Sequence, residues 1–240
     1  MESNNKVSII TVCYNDKENL IKTIKSVLSQ TYKNIEYIVI DGGSTDGTKE
    51  VLAQYEKDVS KYVSEKDRGI YDAMNKGIKM ATGNWLNFMN AGDVFASNDV
   101  IEKIVSSGLM SESSFIYSDF YVKRRNKMRL ITQDYDKGKV LHQSCVYKRS
   151  LHDKLGPYLV TQPYVVSDYW FFVQVGGENV KKFNVPISIN DTTGISMQGT
   201  WCQFQKLCVD YMFRKISIFD LLILIVEGLI KDAVKFLLRW

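Results

Sequence analysis

Several features that define common protein classes are absent from this 240-residue sequence. Its four cysteines form no CxxC pair and have no zinc-type spacing with histidine, so neither a zinc site nor a disulfide framework is indicated. The formal charge is only +4, from 31 basic and 27 acidic residues, which argues against a nucleic-acid partner. The first six residues lack the charged and apolar regions of a signal peptide, so we expect a cytoplasmic chain with reduced thiols.

The composition is sufficient for a well-buried core, since 45% of the residues are hydrophobic and 12% are aromatic. Over the first 90 residues, short apolar runs alternate with segments of helical periodicity. This alternation predicts an α/β fold with right-handed crossovers and a parallel, Rossmann-like sheet. The predicted strands are 7–14, 35–40, a segment near Tyr62 and 85–89, and the predicted helices are 16–30, 48–55 and 70–80.

The pattern changes after Asp93. We expect a helix at 98–106, a strand at 115–117 and a basic hairpin at 121–132 that turns at Asn126. No stretch rich in proline, glycine or serine separates the two parts. The sequence therefore predicts one domain over residues 1–200, with halves at about 1–97 and about 98–200.

Residues 201–240 form two further predicted helices, the second of which begins near Ser217. On a helical wheel the polar residues of the second helix share one narrow arc, and all others are apolar. Its longest apolar run, 221–226, is too short to span a bilayer, so we expect residues 217–240 to lie on a membrane surface. The alternative is that this helix covers an apolar surface of the protein, or of a second copy in a homodimer. The polar arc comprises Asp220, Glu227, Gly228, Lys231, Asp232, Lys235 and Arg239.

Polar residues that are unusual for a core follow each of the first four predicted strands. Ligands of open α/β sheets bind beyond the carboxyl ends of the strands, so these residues are expected to line one cleft. Each also has a purely structural interpretation, because aspartate and glycine are common in turns and at helix starts. The residues are Thr11, Tyr14 and Asn15 after the first strand, Asp41 after the second, Arg68 and Asp72 after the third, and Asn90 and Asp93 after the fourth.

Four sequence runs together resemble family 2 glycosyltransferases of the GT-A fold, and among these the bacterial enzymes that build surface polysaccharides. The runs are VSIITVCYN, SVLSQTYKNIEYIVIDGGSTDGT, SEKDRGIYDAMNKGIKMATGNWLNFMNAGD and HQSCVYKR, with a carboxylate beyond them at Asp168. The match covers roughly residues 6–200. The resemblance implies a GT-A fold and an inverting transfer of sugar from a nucleotide-diphosphate donor, with a UDP-sugar favoured. The first half would then hold the donor, and the second half the acceptor.

The resemblance also implies roles for the strand-end residues. Asp93 corresponds to a ligand of Mg²⁺ or Mn²⁺, which would neutralise the charge that develops on the leaving diphosphate. The run Asn90-Ala91-Gly92-Asp93 has one carboxylate where many relatives have two. The implied donor-binding residues are Thr11, Tyr14, Asn15, Asp41, Arg68, Asp72, Asn90 and Asp93, with Asp41 accepting hydrogen bonds from the base or ribose.

The acceptor half carries the remaining candidates. By resemblance, Asp168 is the general base that removes the proton of the attacking hydroxyl, and His142 contacts the acceptor or a donor phosphate. Asp168 also has the local interpretation of a helix N-terminus. His152 is expected to be a surface or helix residue, and the segment 193–196 resembles a family loop that covers the donor.

Other functions remain as alternatives. A sugar nucleotidyltransferase would need arginine and lysine in the loop at 11–16, which has neither. A dinucleotide-dependent oxidoreductase would need GxGxxG after the first strand, which is absent. A non-catalytic GT-A-like scaffold is compatible with the incomplete metal motif. The amphipathic helix further suggests a lipid-linked saccharide acceptor at the inner face of the cell membrane.

Overall fold

A parallel four-stranded unit forms the first part of the protein. The computed structural model describes residues 5–124, 127–160, 166–190 and 201–237. The strands of this unit are β1 (Val7–Cys13), β2 (Ile35–Asp41), β3 (Lys61–Ser64) and β4 (Trp85–Phe88), and its helices are α1 (Lys17–Leu28), α2 (Thr48–Gln54) and α3 (Ile70–Met80).

β1 lies at the centre of this unit because every one of its residues is apolar or small and buried. It pairs in parallel with β2 on one side and with β4 on the other, and β3 pairs in parallel with β2. A strand that is covered on both faces needs a near-continuous apolar sequence, which is what VSIITVC supplies. The predicted parallel sheet of the first 90 residues is therefore confirmed.

The rest of the chain adds shorter elements. The predicted helix at 98–106 is observed at Val100–Ser106, and the predicted strand at 115–117 is observed at Phe115–Ser118. The elements are β5 (Val94–Phe95), α4 (Val100–Ser106), α5 (Leu109–Glu112), β6 (Phe115–Ser118), β7 (Phe120–Arg124), β8 (Lys127–Ile131), β9 (Cys145–Lys148), α6 (Leu151–Leu155), α7 (Ser167–Phe172), β10 (Val180–Phe183), β11 (Ser188–Asn190), α8 (Trp201–Met212) and α9 (Ile218–Leu237).

One sheet joins the two predicted halves. Its seven strands among the described residues have the order β10-β6-β9-β4-β1-β2-β3, in which β9 is antiparallel to both β4 and β6. A second sheet has the order β5-β11-β7-β8. β7 and β8 pair as the predicted antiparallel hairpin, although Asn126, the predicted turn residue, lies outside the described residues. The division into halves near residue 97 stays a prediction.

Alternate residues of β1 enter two different hydrophobic clusters, one on each face of the sheet. Ile9 packs with α1 residues such as Leu20, whereas Ile10 packs with Met74 of α3 and Phe171 of α7. Because α3 and α7 share one face, a helix of the first half lies beside a helix of the second. This arrangement brings the two halves together at the candidate site described below.

The two C-terminal helices differ in burial. α8 packs on α7, where the rings of Trp170 and Phe213 are 5.1 Å apart and Val209 is buried. On α9, Leu221 is buried, but Phe219 is 73% and Leu237 is 71% exposed. Among the described residues, no helix is long and apolar enough to cross a membrane. The second predicted helix is thus present, with most of its apolar surface uncovered.

The buried carboxylate of Glu36 forms hydrogen bonds at the end of the sheet where β1 and β2 begin. Glu36, which is 4% exposed, accepts hydrogen bonds from the Ser8 hydroxyl at 2.6 Å, the Thr82 amide at 2.7 Å and the Lys61 ammonium at 3.0 Å. Burial raises the pKa of Glu36, but these hydrogen bonds outweigh it and lower that pKa to about 2.

We expect the substitution Glu36→Gln to lower the free energy of unfolding by about 3 kcal/mol at pH 6, because buried donors lose a charged partner. The folded-state pKa of Glu36 is depressed, so its contribution is present above the unfolded pKa and is lost as pH falls from about 4.5 to about 2. The difference in free energy of unfolding between the wild type and Glu36→Gln should therefore shrink by about 2 kcal/mol between pH 6 and pH 3 in urea unfolding. The exposed Glu56→Gln is the control. A difference in free energy that does not change with pH would contradict the role of Glu36.

Candidate functional site

The carboxyl ends of β1 to β4 meet at one edge of the sheet. Cys13 is in register with Asp41, and Asp41 is in register with Ser64. The chain after β4 continues alongside β1, since the Ala91 amide donates to the Val12 carbonyl at 3.1 Å. The predicted convergence of four strand ends is confirmed by this register.

Asp41 holds the turn after β2. Its side chain is fully buried, and its carboxylate accepts the Ser44 amide at 3.2 Å and the Ser64 hydroxyl at 2.5 Å, as well as the Ser44 hydroxyl. Gly43 has a φ of +83°, a conformation that favours glycine, where the chain reverses. The carboxylate thus orders the loops after β2 and β3, and its contact with a nucleoside stays a prediction.

Tyr14 and Asn15 follow β1 at the edge of the sheet where the strand ends meet. The Asn15 amide donates to the Ser44 hydroxyl at 2.7 Å, and the Asn15 side-chain oxygen accepts the Thr45 amide at 2.8 Å. Tyr14 is 65% exposed, and its ring lies 3.3 Å from the position that a Cβ on Gly42 would take. Asn15 therefore ties the first two loops together and leaves the Tyr14 ring open to the solvent.

The side chain of Thr11 lies within the core. It is fully buried, and its hydroxyl lies 3.0 Å from the Tyr37 hydroxyl and donates to the Met89 carbonyl at 2.7 Å. Because β1 is covered on both faces of the sheet, every one of its residues is buried, and the contact of Thr11 with the donor stays a prediction.

Arg68 and Asp72 form a pair at the start of α3. The guanidinium donates to the Asp72 carboxylate at 2.9 Å, while the Arg68 side chain remains 77% exposed. Asp72 also accepts the Arg68 backbone amide at 3.1 Å, which fits the expectation that it orders this loop. The pairing leaves the cation at the surface and near the strand ends.

Asp67 is a candidate residue that the sequence did not reveal. Its carboxylate accepts the Gly69 amide at 2.9 Å, and its other oxygen lies 2.5 Å from where a Cβ on Gly42 would be. Only glycine leaves room for this approach. Asp67 thus lies beside Gly42 and the Tyr14 ring, and the signal in the sequence was the aspartate directly before Arg68-Gly69.

Asp93 is buried at the end of the turn that follows β4. Its carboxylate accepts the Gln143 side-chain amide at 2.7 Å, and Gly92 before it has a φ of +97°. Within the described residues, no group of three or more His, Cys, Asp or Glu side chains is placed to hold a metal ion. The Asp93 carboxylate is thus oriented by Gln143 at the end of this turn, and its role as a metal ligand stays a prediction.

Asp168 lies on α7, in contact with residues of both halves. Its carboxylate accepts hydrogen bonds from the Tyr71 hydroxyl at 2.8 Å, His142 Nδ1 at 2.8 Å and the Tyr169 amide at 2.9 Å. Burial raises the pKa of Asp168, but the hydrogen bonds from His142, Tyr71 and the Tyr169 amide outweigh it and hold that pKa below its usual value. The side chain is 17% exposed, so this ionised carboxylate still reaches the surface.

His142 connects Asp168 to Asn90. Because an ionised carboxylate can only accept, His142 Nδ1 carries the proton that bonds to Asp168. The other ring nitrogen, Nε2, lies 2.9 Å from the Asn90 side-chain nitrogen, which can donate to it. The structure therefore brings together three residues predicted for the site, and the contact of His142 with a phosphate or acceptor stays a prediction.

His152 has a different environment from the one expected for a surface residue. It lies on α6, stacks on Phe171 at 4.2 Å between ring centroids and faces the Gly156 carbonyl at 3.0 Å. Burial lowers its pKa to about 4. His152 is therefore a neutral, partly buried residue on a helix, and the segment 193–196 that resembled a loop over the donor lies outside the described residues.

Residues 8–125 match the family model described as glycosyl transferase family 2. An uncharacterized glycosyltransferase of Mycobacterium tuberculosis is 38% identical over 168 residues, which cover 66% of this chain and 64% of that relative. Residues 8–125 form a glycosyltransferase family 2 domain. A PGL/p-HBAD biosynthesis glycosyltransferase of Mycobacterium bovis is 31% identical over 159 residues, or 63% of this chain and 62% of that one. The chain thus spans slightly less than two thirds of the length of these relatives.

Solved structures with the same fold include Staphylococcus aureus TarS in complex with UDP-GlcNAc. It superposes with a TM-score of 0.71 at 14% identity, over 87% of this chain and 65% of that one. The mannosyltransferase PcManGT from Pyrobaculum calidifontis, in complex with GDP-Man and Mn²⁺, has a TM-score of 0.67 at 15% identity, over 88% of this chain and 65% of that one. These likenesses confirm the predicted α/β GT-A fold.

The role of Asp41 in the turn leads to a stability prediction. Asp41→Asn replaces an accepting oxygen by a donor that faces the hydroxyls of Ser44 and Ser64, so we expect a loss of about 2 kcal/mol, or roughly 5 °C in Tm. The exposed Asp58→Asn serves as the control and should change stability by less than about 0.5 kcal/mol. An unchanged Tm in Asp41→Asn would show that the carboxylate does not hold the turn.

Proposed function

We propose that this protein is an inverting glycosyltransferase that moves a sugar from a nucleotide diphosphate, with a UDP-sugar favoured, to a hydroxyl of a saccharide acceptor. The observation that carries the proposal is Asp168, an ionised and partly accessible carboxylate next to the converging strand ends. Family membership supports the same function, and TarS and PcManGT were solved with nucleotide sugars.

The donor nucleoside would bind against the loops after β1, β2 and β3. Tyr14 offers an exposed ring on which a flat base can stack. Asp67 offers a carboxylate beside Gly42 that can accept hydrogen bonds from the base or the ribose. Arg68, exposed at the same edge, supplies a positive charge for the base or the phosphates. Asp41 and Asn15 support this site by ordering its loops.

Asp93 would hold Mg²⁺ or Mn²⁺ together with the donor. A single carboxylate fits a cation whose other ligands are diphosphate oxygens and waters, because Mg²⁺ commonly binds through one or two carboxylates and substrate phosphates. Such a cation would neutralise the charge on the leaving diphosphate. Gln143, by its hydrogen bond, keeps the Asp93 carboxylate oriented.

Asp168 would accept the proton of the acceptor hydroxyl as that oxygen attacks the sugar. Its lowered pKa keeps it ionised at neutral pH, and so able to accept a proton. Direct attack on the face opposite the leaving diphosphate inverts the anomeric centre. The alternative of a non-catalytic scaffold gives no reason for a carboxylate held in this way at the strand ends.

The acceptor is proposed to be a lipid-linked saccharide, with the protein bound peripherally at the inner face of the cell membrane. The support is α9, whose apolar side chains Leu222, Val226 and Leu229 are each 54% exposed. A wide apolar face with charged residues along the other side suits the interface of a bilayer. Coverage by a second copy in a homodimer is the competing outcome.

We expect Asp168→Asn to lower kcat for sugar transfer by about 100-fold or more while donor affinity stays within about twofold, because the base acts only on the acceptor proton. Activity would first be found by screening nucleotide sugars with Mg²⁺, Mn²⁺ or chelator. Calorimetry would measure donor binding, and the exposed Asp153→Asn is the control. Full activity of Asp168→Asn would contradict the proposed base, and donor binding without transfer in the wild type would favour the scaffold.

The membrane proposal predicts that the full chain floats with liposomes that contain anionic phospholipid. The double substitution Leu222→Glu and Leu229→Glu should abolish flotation, because it places charges in the middle of the apolar face. Glu227→Gln, on the polar face, is the matched control and should float like the wild type. Equal flotation of the double variant would contradict the proposal, and a dimer that it dissociates would identify α9 as a subunit interface.

A further inference from the structure

Two side chains outside α7 hold the carboxylate of Asp168. Tyr71, on α3 of the donor half, donates to one oxygen at 2.8 Å, and His142 Nδ1 donates to the other at 2.8 Å. We infer that Tyr71 and His142 are positioning residues, which fix the orientation of the Asp168 carboxylate for the acceptor hydroxyl. This inference rests on the proposed function, because it concerns the orientation of the base in that reaction.

The Tyr71 hydroxyl is a rigid donor. Its ring is buried and packs against the Tyr158 ring at 5.7 Å between centroids. The backbone of Tyr158 is in turn bonded to the Asn75 side chain, at 2.8 Å and 2.9 Å, so both ends of this support lie on α3. Burial, with the nearby Asp168 charge, raises the pKa of Tyr71 well above its usual value. The hydroxyl therefore keeps its proton and donates a hydrogen bond to one oxygen of the base.

His142 fixes the other oxygen. Its ring meets Phe88 edge-on, and its Nε2 faces the Asn90 side-chain nitrogen at 2.9 Å. Asn90 belongs to the turn after β4 that ends at Asp93. The base is thus linked to the donor half in two ways, to α3 through Tyr71 and to the turn after β4 through His142. Because Tyr71 and His142 bond to different oxygens of the carboxylate, they restrict its rotation about the side-chain bonds.

Removal of the Tyr71 hydroxyl tests the first contact. We expect Tyr71→Phe to lower kcat about 5- to 10-fold, with the KM of donor and acceptor unchanged within about twofold, because the hydrogen bond from a neutral hydroxyl to the ionised base is lost. Tyr32→Phe is the matched control. Its hydroxyl donates to the Asn5 carbonyl at 3.1 Å, away from α7, so its removal should leave kcat unchanged. A wild-type kcat in Tyr71→Phe would overturn the role of Tyr71.

Two substitutions separate the contacts of His142. An asparagine side-chain nitrogen can take the place of Nδ1 and keep the bond to Asp168, whereas a glutamine nitrogen takes the place of Nε2 and loses that bond. We expect His142→Asn to lower kcat by about 3- to 10-fold and His142→Gln by about 100-fold, with an unchanged donor KM. Equal losses, or a donor KM that rises in both variants, would overturn the positioning role in favour of a phosphate contact.

A measurement that needs no turnover keeps the inference testable. The chain has two histidines, so ¹⁵N NMR of the imidazoles gives two sets of signals, which His142→Asn assigns. We expect His142 to be protonated at Nδ1 with slow exchange in the wild type, and to lose that protection in Asp168→Ala. Identical spectra would overturn the contact itself. If Asp168→Asn abolishes transfer while the Tyr71 and His142 variants stay fully active, this inference fails and the proposed function stands.

Discussion

The hydrogen bonds of the Asp168 carboxylate are the constraint on which the arrangement of the site depends. Tyr71 and Asp168 are 97 residues apart in sequence, and His142 and Asp168 are 26 apart. The Tyr71 hydroxyl and His142 Nδ1 nevertheless each lie 2.8 Å from an oxygen of the Asp168 carboxylate. They meet because α3 and α7 pack on one face of a sheet whose strands come from both halves. The position of the proposed base relative to the loops of the first half therefore depends on the packing of the core. A substitution that shifts α7 is expected to reduce catalysis even when every site residue is present.

Much of the donor half could be predicted from the sequence because its signals are local. β1 and β2 are each seven residues long and are apolar almost throughout, and α3 has the bounds that its periodicity indicates. Beyond β4, the strands β5, β9, β10 and β11 have two to four residues, which is too short to show a period. Their places in the sheets come from pairing with distant strands. β9, for example, lies antiparallel between β4 and β6, and no local sequence pattern indicates that position.

The loops that contribute to the candidate site could be predicted from the sequence. Sequence reasoning placed Thr11, Asp41 and Asp93 at the strand ends, and the register of the sheet confirms that edge. The motif did not show the burial or the partners of each side chain. Thr11 lies in the core and Asp41 accepts hydrogen bonds from serine hydroxyls. The Asp67 carboxylate lies beside Gly42, where glycine has no side chain in its way. These contacts depend on backbone direction, which a motif alone does not specify.

The central claim is that one carboxylate, Asp168, activates the acceptor for a single displacement. The most direct measurement is the anomeric configuration of the transferred sugar, read by ¹H NMR from the coupling constant of the newly formed linkage. The account predicts that the product has the configuration opposite to that of the nucleotide-sugar donor, because the acceptor attacks the face away from the diphosphate. Retention of the donor configuration would contradict it, since retention needs a second displacement or an attack on the same face.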